Sequence, residues 1–249
     1  MGRPRRPPAE QELTYHVTVR CNDRKFLLAD PRLAGLYRAI LARYKAKHGF
    51  ALYAYAIMAN HVHLVLRTRH LARAMHDING YAAMACNRML QRTGHFWEAR
   101  YHAVPIRDGD DRHTLATIAY VHANPKTAGI VFRLDDWRRS DFRFYVGLDD
   151  ANALTTLHPA FLALGRSPRA RTRRYRAWAE RHREKSASSG PDARRWGTLL
   201  FPRIVPVRAP SRAQRRQRRF PWAAWPHDGC SQELVPARFV ESWRLSLQP

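Results

Sequence analysis

Two short apolar runs, residues 52–58 and 62–66, are separated only by Ala59, Asn60 and His61, and this spacing constrains the fold more than any other feature. Runs of that length across so short a link read as an antiparallel hairpin. Successive strand side chains point to opposite sides, so Val62, Leu64 and Leu66 share one face while His61, His63 and Val65 share the other. One face meets the core, and the opposite face, not needed for it, offers two imidazoles. Upstream, Tyr15, Val17 and Val19 alternate with His16, Thr18 and Arg20, as in a half-buried strand. Pro31 then opens a helix with Leu33, Leu36, Tyr37, Ile40, Leu41 and Tyr44 at helical spacing, and Gly49 is a natural stop. Leu71, Met75, Ile78, Ala82, Ala85 and Met89 form a second amphipathic helix closed by Gly94. Residues 101–106 resemble a fourth strand, and Asp111 is placed to cap a third helix running to about Ala123. Pro125 is expected to end that helix. Strand, helix, hairpin, helix, strand, helix predicts an α+β fold, a ferredoxin-like antiparallel sheet with helices on one face.

Charge narrows the partner. Among 249 residues, 44 Lys plus Arg face 20 Asp plus Glu, a net charge of +24, which points to a polyanion bound through its phosphates. Only five of those cations are Lys, an Arg bias that codon usage in a GC-rich genome partly explains, so the excess is discounted somewhat. The charge is concentrated in residues 166–219, where eighteen Lys plus Arg face three acids. Three widely spaced cysteines, Cys21, Cys86 and Cys230, argue against a disulfide framework or a Cys-based zinc motif and fit a reducing compartment. No apolar stretch approaches the ~20 residues of a membrane span, so the expected location is cytoplasmic and nucleoid-associated, with no membrane partner.

Two constellations can carry chemistry. His61-Val62-His63 places two ring nitrogens on one side of a strand, where they can serve one metal ion, although exposed strand histidines without a ligand role are the commoner explanation of such a triplet. Tyr120 and Asn124, four apart, share one face near the end of the third helix. Because Leu115, Ile118, Ala119 and His122 already supply that helix's apolar face, Tyr120 is spare; the plain alternative is an amphipathic tyrosine at the core edge.

Together, MANHVHLVL, GHFWEARYHAVPI and YVHANPKTAGIV resemble the REP-associated tyrosine transposases, a branch of the IS200-like single-tyrosine transposases within the HUH endonucleases. YHVTVRCNDRKFLL and DWRRSDFRFYVG also look like their counterparts there, and LHPAFLALGRSPRARTRRYRAW like the extension of some members. The resemblance implies a transposase domain at 13–147 and a helical extension at 148–184; composition alone marks a flexible basic arm at 1–12 and a basic, Pro-rich and poorly ordered tail at 185–249, which the resemblance does not reach. The resemblance also implies that His61, His63 and Asn124 hold Mg²⁺ or Mn²⁺ and that Tyr120 is the nucleophile. The implied partner is single-stranded DNA bearing hairpins of palindromic repeats, with a homodimer one possible assembly. Arg3, Arg5 and Arg6 are candidates for the hairpin foot, and Arg20, Arg67 and Arg100 for the backbone groove. The chain departs from the family pattern at Ala59, where Pro is usual, and at Glu98-Ala99, where Gln-Gly is usual. Two rival readings stay open: a nucleic-acid-binding protein that keeps the fold without turnover, and a zinc-structured nucleic-acid module.

Overall fold

The computed structural model describes residues 11–149 and 152–186. The expected basic arm at 1–12, apart from its last two residues, lies outside the described residues with Arg3, Arg5 and Arg6, as does the tail beyond Ser186. Four strands, β1 (Leu13–Arg20), β2 (Ala51–Ile57), β3 (His61–Thr68) and β4 (His102–Ile106), form one antiparallel sheet in the order β2-β3-β1-β4. With α1 (Pro31–His48) between β1 and β2 and α2 (Leu71–Met89) between β3 and β4, this is the ferredoxin-like arrangement. The histidine strand β3 is therefore central, paired on both sides.

Each helix starts where local chemistry allows. Asp30 caps α1 by accepting from the Arg32 N–H at 2.8 Å, Pro31 occupies the first turn, and Gly49 closes the helix in the left-handed region at φ 66°. The stop of α2 differs from expectation: the helix ends at Met89, and the reversal follows at Leu90 and Gln91, short of Gly94. The third helix, α3 (Asp111–Thr127), is capped by Asp110, not Asp111, through a 2.9 Å bond from the His113 N–H. Pro125 does not end it. Proline removes only the N–H aimed at residue 121, and the last turn survives because Ala128 N–H still reaches the Asn124 carbonyl at 2.8 Å.

One core fills the face covered by α1 and α2, where Tyr15, Val17, Val19, Val62, Leu64 and Leu66 meet Leu33, Tyr37, Ile40, Met75 and Ile78. The opposite face of β2 and β3 is also covered. There α3 packs with α4 (Phe142–Tyr145), α5 (Pro159–Leu162) and α6 (Pro168–Ser186) over a second core containing Ala54, Ala56, Val65, Ile118, Val121, Phe142, Tyr145, Phe161 and Tyr175. The histidine face, spare by sequence pattern, is thus buried: the helices that cover it come from residues 111–186, far beyond any local pattern. A bulge at Tyr53 turns both Tyr53 and Ala54 toward this second core. Residues 139–141 run along the outer edge of β2, with Ile57 N–H bonded to the Arg139 carbonyl at 2.9 Å.

Candidate active site

Small side chains make the site possible. Ala54 and Ala56 on β2 and Ala119 on α3 are buried in the same core, where small side chains allow close packing of helix on sheet beside His63, whose Cα partners are Ala56 on one side and Thr18 on the other. Tyr120 then stands edge-on to two rings, with centroids 6.0 Å from His63 and 5.7 Å from His16. His61 and His63 lie 4.8 Å apart, almost perpendicular, and both are buried.

The two imidazoles are oriented by neighbours. Asn60 donates its amide N–H to the Arg24 carbonyl at 3.2 Å, so its Oδ1 is the atom facing His61 Nδ1, 2.7 Å away. That ring nitrogen must carry the proton, and Nε2 keeps the lone pair. His63 Nδ1 sits 3.1 Å from His16 Nε2 and 3.2 Å from Thr18 Oγ1, while His63 Nε2 is buried with no hydrogen-bond partner among the described residues. Burial holds the cluster neutral. It brings His61 down to about 4, with Arg20 adding to the effect, and His16 to about 4 as well, helped by His102 and His113. His63 falls further, through burial and then its two histidine neighbours.

A buried polar atom without a partner is costly, so the orphaned Nε2 of His63 is a position that favours a ligand. Neutral imidazole is the metal-binding form, and a bonded second nitrogen is how metal-ligating histidines are usually held. Among the described residues no group of three or more His, Cys, Asp or Glu is arranged to hold an ion, so a third ligand from among them would be a neutral oxygen. Asn124, half-buried one turn beyond Tyr120, is the amide in that neighbourhood. Its Nδ2 donates to the Tyr120 carbonyl at 2.9 Å, leaving Oδ1 as the remaining acceptor. Burial pushes the Tyr120 phenol above its ordinary value, and hydrogen bonding with the Asn124 side chain offsets part of that rise.

The backbone-groove candidates are partly engaged. Arg20 is ion-paired with Glu98, and Arg67 with Asp108 at 2.8 Å and Glu12 at 3.5 Å; Arg100 is exposed. Motif spacing does not single out His16, Thr18 or Asn60. Their sequence signal is phase: His16 and Thr18 alternate onto the histidine face, and Asn60 precedes His61 in the hairpin link.

Behind the site, α3 is anchored by a second, wholly buried polar set. His122 Nε2 donates to Asp141 Oδ1 at 2.8 Å, and His122 Nδ1 is hydrogen-bonded to the Tyr175 hydroxyl at 2.6 Å. Asp141 also accepts from the Tyr55 N–H at 3.0 Å and the Thr155 hydroxyl at 2.8 Å.

The fold has a counterpart among solved structures. The fold matches a REP-associated tyrosine transposase solved bound to a REP hairpin, at 23% identity and a TM-score of 0.50, over 63% of this chain and 95% of that one. A putative transposase from Deinococcus radiodurans R1 matches at 20% identity and a TM-score of 0.34, over 49% of this chain and 96% of that one. No curated protein sequence matches. The sequence model of the family described as IS200-like transposase matches residues 9–124, a span holding the whole sheet, both histidines of β3, Tyr120 and Asn124. Over that span, a little under half of the chain, the protein is similar to the IS200-like transposases.

Proposed function

We propose that this protein cuts and rejoins single-stranded DNA beside hairpins, with Tyr120 as the nucleophile. The observation that carries this reading is the packing of one helix on one strand: Tyr120 stands edge-on to the buried, neutral ring of His63, which is held by His16 and Thr18 and lies 4.8 Å from the His61 ring that Asn60 orients. A phenol on α3 beside a pair of neutral imidazoles, with an amide one turn further along the helix, is a set of groups suited to phosphoryl transfer. The hairpin in the structurally similar transposase and the high positive charge of this chain support hairpin DNA as the partner.

His61, His63 and Asn124 would hold a divalent cation, Mg²⁺ or Mn²⁺, which when bound supplies Lewis-acid stabilisation of charge on the scissile phosphate. The Tyr120 oxygen attacks phosphorus, the bond from phosphorus to the 3′ oxygen breaks, and a proton goes to that oxygen. The products are a 5′-phosphotyrosine and a free 3′ hydroxyl, and reversal onto another 3′ end rejoins the strand. Because burial raises the Tyr120 phenol, it enters the reaction protonated at neutral pH and loses its proton as attack proceeds. The Asn124 side chain then limits the rise.

The test mixes purified protein and Mg²⁺ or Mn²⁺ with 3′-labelled single strands carrying the hairpins that flank its gene. The label should migrate with the wild-type protein on denaturing gels and never with Tyr120→Phe, which should still bind the hairpin within a few-fold. Binding without an adduct for every hairpin and metal would replace this reading with that of a non-catalytic DNA-binding protein.

A further inference from the structure

Helix α6 carries a charge distribution that helix physics opposes. Between residues 166 and 179 there are six arginines, no lysine and no acid. Cations in the first turns meet the positive end of the helix dipole, and like charges three or four residues apart, such as Arg169 with Arg173 and Arg171 with Arg174, repel. The helix forms nonetheless because its inner face is fixed. Tyr175 and Ala179 are fully buried, and the Tyr175 hydroxyl is bonded to His122. Two of the arginines serve the fold: Arg176 pairs with Asp135 at 2.8 Å, and Arg174 donates to the Leu164 carbonyl at 2.6 Å.

The other four have no such structural use among the described residues. Arg166, Arg169 and Arg173 are exposed and Arg171 is half-buried. They divide onto two shallow clefts that meet at Ala170. One, of about 460 Å³, has Arg169 and Arg173 on its wall with Ser167 and Thr172; the other, of about 660 Å³, has Arg166 and Arg171. Hydroxyls beside guanidinium groups are the donors that phosphate oxygens take, and arginine engages phosphate with two parallel bonds where lysine offers a point charge.

We infer that these two clefts of α6 are a phosphate-backbone contact for nucleic acid, separate from the Tyr120 site and held in fixed register with it through Tyr175 and His122. The inference rests on the transposase reading for the identity of the polyanion. An anionic membrane is disfavoured, because α6 turns Tyr175 and Ala179 into the second core, with Trp178 packed against it, and keeps no apolar stripe to insert. The surface reads no sequence; it adds affinity and fixes where DNA outside the cut lies.

The full chain serves for the test, with two double variants, Arg169→Glu with Arg173→Glu and Arg166→Glu with Arg171→Glu, and a neutral control, Arg169→Gln with Arg173→Gln. Binding of a labelled hairpin with a long duplex stem is followed by anisotropy over a salt series. Each charge-reversed pair should weaken binding by about tenfold or more at low salt and reduce the slope of log K against log salt by about 1.8, the value for two lost phosphate contacts. The neutral control should weaken binding less and melt no lower than wild type, since it relieves repulsion. Unchanged affinity and slope in both reversed pairs would overturn the proposal, as would equal losses on phosphatidylserine vesicles that bind wild type more tightly than DNA. If no adduct forms in any protein while these binding losses appear, the strand-transfer reading fails and the α6 surface stands. An adduct that forms normally in both reversed pairs, with binding unchanged, leaves strand transfer standing and removes the α6 surface.

Discussion

Replacing Asp141 tests whether the buried polar set behind α3 is what seats the tyrosine helix. In Asp141→Ala three donors lose their acceptor at once: the Tyr55 N–H, the His122 ring N–H and the Thr155 hydroxyl. A buried donor left without a partner costs about 1–3 kcal/mol. The Thr155 hydroxyl can turn toward the surface, at 9% exposure, but Tyr55 N–H and the fully enclosed His122 cannot. The expected loss is therefore about 4 kcal/mol, a large part of the roughly 5–15 kcal/mol typical of a whole domain. Asp141→Asn keeps one oxygen toward Tyr55 and His122 and presents an amide to a hydroxyl that can accept, so it loses mainly the charge assistance, about 1–2 kcal/mol. Urea unfolding of both variants, read as a shift in midpoint at unchanged slope, measures the difference. Equal losses in Ala and Asn, or a loss below about 1 kcal/mol in Ala, would refute the idea that these hydrogen bonds hold the helix.

Three further outcomes are expected. Glu98→Gln frees Arg20, so hairpin affinity should rise up to about fivefold at low salt and the gain should fade as salt is added, in keeping with the ~1 kcal/mol ceiling of exposed pairs. Gly165→Ala places a Cβ 2.9 Å from the Ala170 Cβ and 3.2 Å from the Arg171 N, which should lower stability by about 1–2 kcal/mol and raise amide exchange first in α6. Cys21 and Cys86, whose thiols burial pushes up to about 12, should resist iodoacetamide at about pH 8 until the protein unfolds, as peptide mass mapping would read.

The sheet and its three main helices are legible because each rests on local periodicity. Leu115, Ile118, Ala119 and His122 are all buried as their spacing implies, and His61 and His63 do share one side of the second hairpin strand. What local pattern misses is whatever depends on partners far along the chain. The histidine face reads as spare until α3 is laid over it, and His16 reads as one polar residue in an alternating strand until that same helix brings Tyr120 to its edge. Spacing puts His122 on the inner face, but Asp141 and Tyr175, 19 and 53 residues on, supply its bonds. Helix ends fail differently. Pro125 and Gly94 are strong punctuation in sequence, yet a proline missing one bond near a helix end, and a glycine a few residues late, do not decide where the last turn closes.

The bond from Tyr175 to His122 also sets an order of events during synthesis. The last residue of the family match, Asn124, is joined some 50 residues before Tyr175, and at about 5–20 residues per second that is a lag of roughly 3–10 s. Throughout it the nascent chain holds the residues of its sheet, its histidines and its tyrosine, but His122 lacks its phenol partner and the apolar side of α3 has no cover from α5 or α6. A ribosome that stalls or terminates in that window releases a chain that holds both histidines and Tyr120 but leaves the helix carrying Tyr120 unsupported.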